Sequence, residues 1–250
     1  MNFMKVVKVI FRSIVLLIIC IVDIQGAPSP ITPANAPSVC GNVNYRKWHI
    51  PCGMACIPVK DSGMQKETAA SLIKEKLENI ILHMKEAQDI IKHLKVKYSN
   101  GRIGNIDVVN SIHNKTEYAF NNGNIDFNNE GKKVKSSNMT EIIKADYESL
   151  TAAIMFTEQI RFNEDSSNVY GMLSKDLNGL SVKIATILCD FELIQCISGN
   201  VLSSKLTCQN TVVGPIQSWT TDENRILVEY WVLRDLEKYM QVLIPKYQLM

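Results

Sequence analysis

Residues 73–98 read IKEKLENIILHMKEAQDIIKHLKVKY, and Ile73, Leu77, Ile80, Met84, Ala87, Ile91, Leu94 and Tyr98 fall alternately four and three residues apart. An α-helix turns once in about 3.6 residues, so this spacing gathers these side chains into one apolar stripe. A stripe that holds its face over so many turns suits a long helix packed at a shallow angle in a bundle. Upstream, Ser62-Gly63-Met64-Gln65 sets a serine three residues before a glutamine, the spacing of a capping box. Downstream, Asn100-Gly101 is expected to end this helix, A. From Met64 to Tyr98, at ~1.5 Å per residue, it is about 50 Å long.

Three further segments carry the same period. Helix B is expected after Asn138–Glu141, with Ile143, Tyr147, Leu150, Ile154 and Thr157 on its stripe and Ala153, Phe156 and Ile160 widening it, so it is well buried. The polar stretch Asn163–Asn168 breaks it. Helix C follows, with Leu173, Leu177, Leu180, Ile184, Ile187, Phe191 and Ile194, until Ser198-Gly199-Asn200 stops it. Helix D opens on the capping box of Thr220 and Glu223, carries Ile226, Tyr230, Leu233, Leu236, Met240 and Leu243, and is expected to end at Pro245.

Connection length selects the topology. Residues 99–137 lose the period and are rich in Asn, with a short element expected around Ile106 to Ile112. A long stretch also separates C from D, whereas B and C are joined by a short turn that forces them antiparallel. The expected fold is all-α: an up-up-down-down four-helix bundle with long A–B and C–D crossovers.

The N-terminus has Lys5, Lys8 and Arg12, an apolar run from Ile14 to Val22, then Asp23-Ile24-Gln25-Gly26 before Ala27-Pro28. That is the layout of a secretory signal peptide, residues 1–26, with cleavage after Gly26. The run is about half of what a bilayer-spanning helix needs, so no membrane insertion is expected once it is removed. Removal takes away three basic residues and one acidic one and brings the formal charge from +2 to about zero, which gives no sign of nucleic-acid binding. Residues 27–61 then form a cysteine-containing arm and 62–250 the helical domain.

Cys20 leaves with the leader, and Cys40, Cys52, Cys56, Cys189, Cys196 and Cys208 remain. An even count in an exported chain reads as three disulfides. Cys189 and Cys196 are about 10 Å apart along one helix, too far to bond each other. Three cysteines before helix A and three near the end of helix C fit an arm stapled to the bundle, through at least two bridges, with the individual pairs left open. A metal site of Cys40, His49, Cys52 and Cys56 is the rival use of the same residues; neither a metal nor a cofactor is expected. Asn114-Lys115-Thr116 and Asn138-Met139-Thr140 are N-glycosylation sequons, and both asparagines should lie at the surface.

With leader, topology and cysteines assembled, the chain resembles the long-chain four-helix cytokines, the group of interleukin-six, leukaemia inhibitory factor and ciliary neurotrophic factor, with the insect unpaired ligands as an invertebrate counterpart. The local likeness rests on Trp231-Val232-Leu233-Arg234-Asp235-Leu236-Glu237-Lys238-Tyr239 in helix D, which is similar to a leucine-arginine-x-leucine stretch closing on an aromatic. The resemblance implies a secreted protein that binds a cell-surface cytokine receptor and triggers signalling of the JAK/STAT type. It implies receptor contacts at Arg234 and Lys238, which the helix D stripe leaves pointing outward, on exposed faces of helices A and C, and at Trp219. Asp222 stands where one subgroup has a lysine three residues after the aromatic. The plainer readings stand beside these: Arg234 and Lys238 as solvated charges, Trp219 as a hydrophobic staple, Trp231 as a flank of the core.

Catalysis is not expected. His49, His83, His93 and His113 are scattered, and His83 and His93 are ten residues apart, not the three or four that ligation on one helix face needs. No phosphate-binding glycine loop or nucleophile elbow occurs. The alternative function is a secreted helical carrier of hydrophobic ligands, like the insect odorant-binding proteins; the Cys52–Cys56 spacing matches that pattern and the later cysteines do not.

Overall fold

The four-and-three stripe lies on a single helix, α1 (Lys66–Tyr98), in the computed structural model. The structure describes residues 51–52, 66–114, 139–166, 172–202 and 222–250, all within one unit, Pro37–Met250. Among these residues the regular structure is entirely helical. Leu77, Ile80, Met84, Ala87, Ile91, Leu94 and Tyr98 are buried, and Ile73 packs half-buried against them.

The end of α1 differs from expectation. The chain does not stop at Asn100-Gly101 but widens into one π-helical turn, Ser99–Ile103. The left-handed residue is Gly104, at φ 64°, whose N–H donates to the Ser99 carbonyl at 2.9 Å. A residue with a Cβ would be strained there. The short element is present as α2 (Ile106–His113), where the Asn105 side chain accepts from the N–H groups of Asp107 and Val108 and caps the first turn. Val109 and Ile112 bury its inner face.

Helix B is α3 (Met139–Ser166), so it continues past Asn163, where the polar break was expected to start. Asn163 is held in the helix by the Gln159 amide, which donates to it at 2.9 Å. Every expected stripe residue of α3 is buried, and residues 151–160 are buried without exception, a wider face than the stripe. Helix C is α4 (Met172–Ile197). It closes as expected: Asn200 N–H donates to the Gln195 carbonyl at 2.8 Å and Gly199 N–H to Cys196 at 2.9 Å, a Schellman pair with Gly199 at φ 77°.

Helix D is α5 (Asp222–Gln248), and Pro245 lies inside it, not at its end. Proline forfeits one helical hydrogen bond, but the following turn is held from outside the helix. Lys246 pairs with Asp146 at 2.8 Å, Tyr247 donates to the same carboxylate at 2.8 Å, and the Tyr247 ring stacks on Phe191 at 5.3 Å. Tyr239 adds a third bond to Asp146 at 3.1 Å.

Ion pairs and hydrogen bonds fix which helices are neighbours. Between α1 and α4, Lys76 meets Asp190, Glu86 meets Lys183 and Lys97 meets Asp176. Between α3 and α4, the Gln195 amide reaches the Thr140 carbonyl and Tyr147 donates to Glu192. Tyr147 is held well above the usual phenol range, first by burial and then by that carboxylate. The α5 partners are Lys95 to Glu237 at 2.5 Å from α1, and Asp146 to Tyr247 and Asn163 to Glu229 from α3.

Cys52 is bonded to Cys189 of α4, with Cα atoms 4.8 Å apart. This uses up one ligand of the rival metal set. Cys196 is also in a disulfide. Cys40, Cys56 and Cys208 lie outside the described residues. The Cys52–Cys189 bridge spans 137 residues of sequence. Replacing both cysteines by alanine is expected to lower unfolding stability by about 2–5 kcal/mol, because long-loop crosslinks restrict the unfolded chain. Urea unfolding of the double variant checks this, and an unchanged midpoint and slope would contradict it.

Candidate functional site

The resemblance points to the outer face of α5, and there the chemistry is unlike what periodicity suggests. Arg234 is 1 % exposed and Asp235 0 % exposed. Arg234 Nε donates to Asp235 Oδ1 at 2.7 Å, its Nη2 also bonds that carboxylate, and its Nη1 donates to the carbonyl of Ile112 at the end of α2. The guanidinium lies 5.6 Å from the centre of the Trp231 ring, and Trp231 packs half-buried against the core. A cation at a helix C-terminus bonds carbonyls that have no partner within the helix, so Arg234 works as a tie between α5 and α2.

This overturns the expectation that Arg234 projects outward as a receptor contact. The four-and-three stripe of α5 accounts for packing against α1 and α3, but Arg234 lies beside it, and α2 from the long connection reaches that flank. Lys238, one turn on, is half-buried. Trp219 lies outside the described residues, as does Asn138; Asn114 follows α2 directly and is exposed.

The same joint carries His113 and Tyr230, which the sequence offered only as a scattered histidine and a stripe residue. His113 Nε2 is 2.8 Å from the Tyr230 hydroxyl, with the two rings edge to face at 5.8 Å. Lys95 lies 5.9 Å from the centre of the Tyr230 ring while it pairs with Glu237. Partial burial, then the charges of Lys95 and Arg234, hold His113 below the usual histidine range. The signals available in advance were the short apolar period of residues 106–112 and the stripe position of Tyr230; neither points to their pairing.

A second polar group is buried where α1 and α3 end and α5 begins. The Tyr98 hydroxyl lies 3.3 Å from Glu164 Oε1 and 3.2 Å from Glu229 Oε2. Arg102, in the π-helical turn, bonds Glu164, and the Asn163 amide donates to Glu229 at 3.0 Å. Arg225 Nε stands 3.7 Å from Glu229. Burial raises the Glu164 carboxyl against the opposing charge of Arg102. Glu229 is pushed up to about 7, mainly by burial, with the Glu164 charge adding to it. Both carboxyls are enclosed, so this group is not placed to meet a substrate from solvent.

The outer faces of α1 and α4 expose Leu82, Val96 and Val182 among paired charges. Among the described residues no group of three or more His, Cys, Asp or Glu could hold a metal ion, and no helix is long and apolar enough to cross a membrane. No protein-family model matches this chain, and no curated protein or solved structure matches it either.

Proposed function

We propose that the chain is a secreted helical cytokine: an up-up-down-down four-helix bundle with long A–B and C–D crossovers and a disulfide-stapled arm, which binds a cell-surface receptor, triggers JAK/STAT-type signalling and catalyses nothing. One observation carries this reading, the order of the cross-helix pairs. From 76 to 97 along α1 the α4 partners fall from 190 to 176, from 140 to 147 along α3 they fall from 195 to 192, and from 146 to 163 along α3 the α5 partners fall from 247 to 229. Neighbours that run in opposite order support a bundle with α1 and α3 in one direction and α4 and α5 in the other. Consecutive helices of one direction need a connection as long as the bundle, and residues 99–138 and 198–221 supply the length. The Cys52–Cys189 bridge supports the stapled arm in the same way.

On this reading Lys238, Trp219 and the outer faces of α1 and α4 remain the receptor contacts, without Arg234. The purified secreted protein should bind receptor-bearing cells saturably and raise STAT phosphorylation. Lys238→Glu should change unfolding stability by less than about 0.5 kcal/mol. It should lower receptor affinity about tenfold, the ~1.4 kcal/mol of lost charge complementarity. Extraction of apolar small molecules with no saturable cell binding would replace this reading by the carrier function.

A further inference from the structure

The Tyr98 hydroxyl sits between two carboxylates and has one hydrogen to give. If Glu164 and Glu229 were both ionised, one of them would face the phenol oxygen acceptor to acceptor at 3.2–3.3 Å inside the protein. Such a contact is repulsive, and burial leaves little water to screen it. The arrangement is satisfied when one carboxyl carries a proton, donates it to Tyr98 Oη, and Tyr98 donates in turn to the other. The surroundings decide which. Glu164 receives the Arg102 guanidinium, which favours its charge. Glu229 has a neutral amide donor in Asn163, and its nearest cation, Arg225, is 3.7 Å away.

We propose that Glu229 is protonated in the folded protein in mild acid and that the chain Glu229, Tyr98, Glu164, Arg102 forms a pH-sensitive joint at the end of the bundle, tighter in mild acid and looser in mild alkali. The groups facing it are Tyr98 from α1, Arg102 from the π-helical turn, Asn163 and Glu164 from α3, and Arg225 from α5 itself. Raising Glu229 from the ordinary 4.5 to about 7 fixes the direction: across that window the folded state holds a proton that the unfolded chain has lost. Stability therefore falls as pH rises from about 4.5 to 7, and the contribution is fully present only below the unfolded value. Above the window the two carboxylates repel. The segment under strain is then the turn Ser99–Ile103, which leads into α2.

The test is urea unfolding of the full secreted chain at about pH 5 and about pH 8, as wild type, Glu229→Gln and Glu164→Gln. Glutamine keeps the shape of a protonated glutamate: its amide donates to Tyr98 and its oxygen accepts from Asn163. Between these pH values the wild-type folding constant should fall by about tenfold to a hundredfold relative to Glu229→Gln, in which this part of the dependence is absent. Glu164→Gln, whose amide can donate to Tyr98 and leave Tyr98 to donate to an ionised Glu229, should reduce the dependence without abolishing it, because burial still raises Glu229. Equal pH dependence in wild type and Glu229→Gln would overturn the proposal, as would its loss in Glu164→Gln alone. If Glu229→Gln fails to fold, the wild type still decides. An infrared carbonyl band of a protonated carboxylic acid should disappear with a midpoint near 7, and its absence at about pH 6 would overturn the assignment.

Discussion

Arg234→Ala is expected to lower the unfolding free energy by about 3–5 kcal/mol, a large share of the ~5–15 kcal/mol that holds a domain together. The loss comes from what stays behind. Asp235 is fully buried and would lose the bonds that both Nε and Nη2 make to its carboxylate, and the Ile112 carbonyl would lose its donor. A charge that loses its main partner in an enclosed site costs far more than a surface ion pair contributes. Thermal or urea unfolding of the variant measures it, with Lys238→Ala one turn away as the control that changes little. A loss below about 1 kcal/mol would mean that water reaches Asp235 readily, and the tie between α2 and α5 would not hold as described.

That residue also marks how far reading the sequence could go. The stripes of all four long helices, the short element near 106–112 and the glycine stop at Gly199 were legible because each depends on spacing within one segment. Arg234 was not, because its burial comes from a different element, α2, packed on the flank of α5. Periodicity along one helix reports the face turned to the bundle and is silent about a connection that folds back over it. The same limit explains Pro245 and Gly101. Local propensity argues for a stop at each, yet Tyr247, Lys246 and Arg102 find partners on α3 and carry the helical path further. Of the receptor-contact residues read from the likeness, Arg234 is buried and does not project outward, Lys238 is half-buried and Trp219 lies outside the described residues.

Asp146→Ala should lower stability by about 3–4 kcal/mol. This one carboxylate accepts from Tyr239 at 3.1 Å, Tyr247 at 2.8 Å and Lys246 at 2.8 Å, so its removal takes an acceptor from two buried hydroxyls and a half-buried ammonium together, with Ser149 still bonded to Tyr239. Both phenols are held well above their ordinary range, by burial first and by the Asp146 charge second, so they remain donors throughout the accessible pH range. Asp146→Asn keeps an acceptor but no charge and should cost about half as much. Urea unfolding of the two variants provides the measurement. Because Pro245 has already weakened the helix locally, Asp146→Ala should also fray the last turn of α5, visible as loss of Tyr247 protection from solvent. An Ala variant as stable as wild type would show that the last turn holds without this anchor.

Ten consecutive buried residues in α3, 151–160, leave that stretch with no outside. An antibody raised against the folded chain has nothing to grip there, and a protease cannot bind the segment without first opening the molecule. Epitopes and cleavage sites on the described helices must come from residues such as Leu82, Val96, Ile106 and Val182 and the charges around them. Immune recognition of this protein, raised against its native form, is therefore blind to its most enclosed helix, and an antibody that does bind residues 151–160 reports unfolded chain.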